Sequence, residues 1–160
     1  MGSVFFYHLT REPLEAALPK LIGAARGQGW PVAIRGRTEG FLTWLDDKLW
    51  QGPADGFLPH GLEGGPHDRH QPVLLGTGAG RAANEPQCLM SVEGAPVTPD
   101  ELDEYARVCV IFDGGDAAAL ETARNQWRSL TGAGAAAQYW SQESGKWEKK
   151  AESGGAKAAG

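Results

Sequence analysis

The chain lacks the signals that would carry it into or across a membrane. No stretch approaches the roughly 20 consecutive apolar residues that a bilayer span requires. The opening MGSVFFYHLTREP has no basic segment ahead of an apolar one, so no signal peptide is expected. Cysteine is scarce, with Cys88 and Cys109 the two in 160 residues. Two cysteines without metal-ligand spacing read as buried thiols and fit a cytoplasmic protein. A basic excess is also missing: 15 Lys and Arg stand against 20 Asp and Glu, a formal net charge of −5. A protein that grips DNA through its phosphates shows a basic surplus or stripe. Any role near DNA is therefore expected to run through proteins, with DNA met only indirectly.

Catalytic signatures are missing too. There is no GxxxxGK[ST] phosphate loop. His8, His60, His67 and His70 stand outside any set of nucleophile, base and oxyanion donors. His67, Asp68 and His70 lie close together, but in a Gly/Pro-rich loop split by Arg69. A zinc site needs three or four ligands on a held framework. No enzyme activity, cofactor or metal is expected.

What is present suits one α/β domain: 160 residues, 41% of them apolar. Ser3 to Leu9 (SVFFYHL) is nearly continuous in apolar character, as a parallel strand covered on both faces would be. Thr10 is placed to cap a helix carrying Leu14, Ala17, Leu18, Leu21, Ile22 and Ala25 on one stripe, with Pro19 inside it. Trp30 to Arg35 reads as a second strand. Thr38 is placed to cap a second helix, marked by Phe41, Leu42, Leu45 and Leu49 and ended by Gly52-Pro53. Further strands are expected at Gln71 to Gly76, Gln87 to Val92 and Arg107 to Phe112, with a helical turn from Pro99. Asp116 caps a last helix, Ala117 to Thr131, before a strand at Ala136 to Trp140. The pattern predicts a three-layer α/β/α domain of Rossmann-like type with a mostly parallel sheet over residues 1–148. Residues 149–160 are Lys, Glu, Ala, Ser and Gly without apolar anchors and are expected to be a disordered tail.

Two segments carry a resemblance. The run LDDKLWQGPADGFLPH is similar to the most characteristic stretch of the chi subunit of bacterial DNA polymerase III, an LDxxLW, a Pro three residues later, then FxPH. Here these are Leu45-Asp46, Leu49-Trp50, Pro53 and Phe57-Leu58-Pro59-His60. The second segment is VCVIFDGGDAAALETARNQWRSLTGAG, an apolar strand ending in Phe followed by a helix bearing Arg124, Trp127 and Arg128. In that family this helix receives the acidic C-terminal tail of the single-stranded-DNA-binding protein, which ends in Pro-Phe and a free carboxylate. Spacing alone favours two solvated arginines with Trp127 in the core; the resemblance assigns all three to tail binding. A guanidinium pair four residues apart shares one helical face and can grip a carboxylate. Relatives often have Tyr where this chain has Trp127.

The resemblance also implies a surface around Trp50, Pro53, Phe57, Pro59 and His60 that meets psi, a small subunit tied to the clamp loader, or a helicase competing for the same face. The function so implied is that of a non-catalytic accessory subunit bridging the clamp loader to the single-stranded-DNA-binding protein. Two rivals of other classes are a nucleotide-binding enzyme using the Gly76 to Gly80 loop, and a direct single-stranded-nucleic-acid binder stacking bases on its Trp residues. Gly76, Gly78 and Gly80 resemble the start of a dinucleotide fingerprint, but no long helix is expected after them.

Overall fold

In the computed structural model, residues 3–51, 60–78, 82–144 and 146–153 are described below. Eight strands form one sheet: β1 (Ser3–Leu9), β2 (Val32–Arg35), β3 (Gly61–Leu62), β4 (Val73–Gly76), β5 (Cys88–Ser91), β6 (Arg107–Asp113), β7 (Ala136–Ser141) and β8 (Glu148–Ser153). Their spatial order is β3-β4-β2-β5-β6-β1-β7-β8. Every pairing is parallel except β7 with β8. Helices α1 (Leu14–Gly27), α2 (Glu39–Trp50) and α3 (Ala117–Gly132) connect them.

Central strands β2 and β5 are buried at every position, which is why their sequences are continuously apolar instead of alternating. Alternation nonetheless sorts the side chains into two cores. Val32, Ile34, Met90, Cys109 and Ile111 meet Leu18 and Ile22 of α1 and Leu42, Leu45 and Leu49 of α2 on one face. Phe6, Ala33, Leu89, Val108, Val110 and Phe112 meet Leu102, Ala123 and Leu130 on the other. The second face is covered by α3 together with a single 3-10 stretch, Pro99–Glu104. The expected three layers are therefore present, with helices on both sides of a mostly parallel sheet.

Several boundaries differ from expectation for local reasons. Thr10 does not cap α1: the helix begins at Leu14, with Pro13 as its N-cap residue and the Pro13 carbonyl accepting from Ala16 and Ala17 N–H. The helix continues through Pro19, anchored on either side by buried Leu18 and Ile22. Thr38 does cap α2, accepting from the Phe41 N–H at 3.3 Å. Asp116 likewise caps α3, its carboxylate accepting from Ala118 and Ala119 N–H. The boundary expected at Lys149 falls inside β8, so Lys149 to Ser153 are strand and not tail. An edge strand is held by its backbone ladder and favours Lys and Glu at its exposed positions, so it needs no apolar stripe of its own. Trp147, just ahead of it, packs edge-on to Tyr7 at 5.1 Å and ties the segment down.

Arg35 at the end of β2 fastens the 3-10 stretch to the sheet. Its guanidinium donates to Glu101 Oε2 at 2.6 Å, to Oε1 at 3.1 Å and to the Pro96 carbonyl at 3.0 Å. Both side chains are nearly buried. Burial alone would push the Glu101 carboxyl up; the hydrogen bonds from Arg35 and Thr98 outweigh it and hold the group below its ordinary range. Removing one member of a buried pair strands the other's charge, so Arg35→Met is expected to cost about 3 kcal/mol in a urea melt. A carboxyl held low stabilises the fold above its unfolded pKa, and that stabilisation fades as the pH falls through the lower folded value. Glu101→Gln should therefore be most damaging near neutral pH, and its melting curve should converge on wild type below about pH 4. A constant gap across that range would show that the carboxylate charge contributes nothing.

Candidate functional site

Helix α3 presents the first candidate surface. Ala123 and Leu130 are buried against the sheet, while Arg124 and Arg128 are exposed. Trp127 lies between these two conditions. It is half-buried, with its ring 5.3 Å from Phe6 and 6.1 Å from Tyr139, both in edge-on contact. Its inner edge thus closes the core and its outer part remains open. The ring is therefore part of the core on one side and part of a groove lining on the other.

A groove of about 510 Å³ runs between α3 and the β7–β8 ribbon. Its apolar floor comes from Phe112, Leu120, Trp127 and Tyr139, and its rim carries Arg124, Arg128 and Lys150. No carboxylate is among the described residues lining it. All three residues singled out on α3 are brought together here. Arg128 Nη1 donates to the Asn125 side-chain oxygen at 3.1 Å, which steadies it along the helix.

Tyr139 in the floor is tied to His8 at 2.8 Å between the hydroxyl oxygen and Nδ1. The His8 ring stacks on Phe112 at 5.1 Å and 17°. Burial lowers the His8 pKa, and the positive charge of Arg124 lowers it further against the pull of Glu143 and Asp113. Burial also raises the Tyr139 pKa. Both shifts favour the neutral rings, which share one hydrogen bond between the Tyr139 hydroxyl and His8 Nδ1. His8 is the half-buried strand-end residue that its sequence position suggests, and it holds the groove floor in place. Gly114 makes that packing possible, since a Cβ there would fall 1.9 Å from His8 Nε2.

Lys150 and Tyr139 were not singled out by sequence reasoning. Lys150 lay in a segment without apolar periodicity, and the one cue to its order is the nearby Trp147.

The second candidate surface lies at the end of α2. Trp50 is 51% exposed, whereas His60 is 4% exposed. The two rings pack at 4.1 Å and 32°. His60 Nε2 lies 3.2 Å from Asp46 Oδ1 and 3.3 Å from the Asp46 carbonyl oxygen. His60 is thus the support beneath Trp50 and not a surface contact. Pro53, Phe57 and Pro59 fall outside the described residues.

The remaining features have structural occupants. Glu63 packs its carboxylate against Gly76, where a Cβ would fall 1.9 Å from Oε2. No helix begins between Ala82 and Gln87, where Ala83 and Asn84 form a turn. Among the described residues, a phosphate at Gly76 would meet the Glu63 carboxylate and no helix N-terminus. Asp68 accepts from Gly64 and Gly65 N–H at 2.8 and 3.0 Å and so folds its own loop. Cys88 and Cys109 are free and buried. No described helix is long and apolar enough to cross a membrane.

Among known proteins, the family model described as DNA polymerase III chi subunit, HolC, matches residues 1–138. No curated protein shows a significant match. The matched span takes in β1 through β6, the whole of α3 with its three singled-out residues, and the first half of β7; it leaves out β8. With most of its length so covered, the chain belongs to the chi subunit family and has an accessory role in DNA polymerase III replication.

Proposed function

We propose that the chain bridges the clamp loader to the single-stranded-DNA-binding protein, with no catalytic site of its own. The observation that carries this reading is the α3 groove, where an apolar floor is rimmed by Arg124 and Arg128 without an opposing carboxylate among the described residues. Those are the requirements of a peptide end that joins a Phe ring to a free carboxylate. The ring stacks against Trp127 and Leu120. A guanidinium grips the carboxylate through two parallel hydrogen bonds. The acidic overall charge fits the same reading. A net charge of −5 opposes bare phosphate backbone, while a local cationic groove still attracts an acidic protein tail.

Trp50 supplies the second contact of the bridge. A large aromatic that is half exposed, and held from below by His60 and Asp46, is a suitable hot-spot anchor for psi, for another clamp-loader subunit or for a competing helicase. The family resemblance assigns Pro53, Phe57 and Pro59 to the same contact. The protein acts in the cytoplasm, where replication takes place.

Binding of a labelled acidic peptide ending in Pro-Phe-COOH, followed by fluorescence anisotropy, tests the first contact. Arg124→Ala should weaken it about ten- to a hundredfold, the loss of one charge-assisted hydrogen-bond pair. Added salt should weaken wild-type binding as well. An absence of wild-type binding would remove the tail from the account. The second contact has its own readout. Trp50→Ala should lower affinity for a psi-containing clamp loader by about thirtyfold, the scale of a hot-spot truncation of about 2 kcal/mol, and leave peptide binding unchanged. Equal affinity of Trp50→Ala and wild type for the clamp loader would show that the bridge is made elsewhere.

A further inference from the structure

Strand β8 does not pair regularly with β7. Ala137 lies opposite Ser153, Gln138 opposite Glu152 and Tyr139 opposite Ala151, but the next residue, Trp140, lies opposite Lys149. Lys150 is the extra residue, without a counterpart on β7. Side chains along a regular strand alternate between faces, so an unbroken β8 would send Lys150 and Ala151 to opposite sides of the sheet. A bulge interrupts that alternation and re-aims the extra residue. Lys150 and Ala151 accordingly both line the α3 groove. Lys149 does not line it, and its ammonium instead holds Glu152 at 3.4 Å.

The bulge therefore puts a third cation on the groove, facing Arg124 and Arg128 across the floor of Trp127 and Tyr139. Glu148, two residues back on β8, feels the Lys150 charge but is not part of the groove lining. One carboxylate is satisfied by one guanidinium in bidentate contact. A cation on the opposite wall is thus available to a different carboxylate.

We infer that Lys150 is a second anion contact of the groove, holding an acidic side chain that lies upstream of the terminal Phe in a bound tail. The occupant is then an extended acidic peptide gripped at two points, at its end by α3 and farther back by β8. This inference rests on the reading of the groove as a tail site given above. The family match ends at residue 138, so the wall that carries Lys150 lies beyond it.

The test uses the full chain and two labelled peptides. One is acidic and ends in Pro-Phe-COOH, and the other is identical except that its upstream Asp residues are Asn. Lys150→Ala should weaken binding of the acidic peptide about two- to fivefold, the scale of an exposed ion pair, and leave the Asn peptide unaffected. Lys150→Glu should weaken the acidic peptide further. Lys149→Ala removes the same charge from the neighbouring position and should change neither peptide. Equal losses on both peptides would make Lys150 a packing wall and overturn the inference, as would wild-type affinity in both Lys150 variants. An effect of Lys149→Ala as large as that of Lys150→Ala would replace the bulge with a diffuse field and overturn it too. Each of these outcomes leaves peptide binding by the wild type intact. Failure of the wild type to bind either peptide would instead refute the tail site itself.

Discussion

A parallel sheet must be covered on both faces, and this chain has one long helix with which to cover the second. Helices α1 and α2 spread over one side of the sheet. On the other side, α3 packs over β6 and β1, and the 3-10 stretch held by Arg35 and Glu101 takes the neighbouring ground. The β7–β8 ribbon extends the sheet past α3. The resulting step, helix on one side and bare strand on the other, is the groove. Trp127 is half-buried because it stands at that step. The candidate site therefore follows from the shortage of cover on one face and needs no special loop.

Much of this was legible in the sequence. The β2, β5 and β6 runs are apolar without alternation because neither face of those strands meets water, and such runs stand out. The caps at Thr38 and Asp116 were readable because a side-chain oxygen three residues ahead of an amphipathic stripe has a specific partner to satisfy. Arg124 and Arg128 share a face by helical geometry alone. What escaped notice did so for physical reasons. Strand β8 is an edge strand with no buried stripe, so composition could not distinguish it from a tail. His60 sits beside exposed Trp50 in a motif that reads as surface, yet only folding brings it beneath that ring and against Asp46. The bulge at Lys150 is a matter of register between two strands, and register belongs to the pair rather than to either sequence.

The charge distribution resolves an apparent conflict between an acidic chain and work in DNA replication. The sum over the chain is negative, while the groove lining is cationic. Electrostatic attraction is decided within a Debye length, about 8 Å at physiological salt. A ligand in the groove meets Arg124, Arg128 and Lys150 and little of the remaining charge. A DNA duplex is far larger than the groove and would sample the acidic surface around it. The same numbers that disfavour direct DNA binding therefore permit a short acidic peptide.

The proposed bridge also requires that its two ends not interfere. Trp50 ends α2 on one face of the sheet and rests on His60, next to β3 at one sheet edge. The α3 groove lies on the other face against β7 and β8, at the opposite edge. From β3 to β7 there are six strand-to-strand steps in the sheet order. At about 4.8 Å each, these amount to roughly 30 Å across the sheet. That span is several Debye lengths, so charge placed at one end contributes little at the other. Between the ends lie the strands with the most complete burial, which resist deformation because close-packed interiors have no slack to take up. On the proposed reading the protein would act as a rigid spacer, with its two surfaces roughly 30 Å apart and occupancy of one expected to leave the other unchanged.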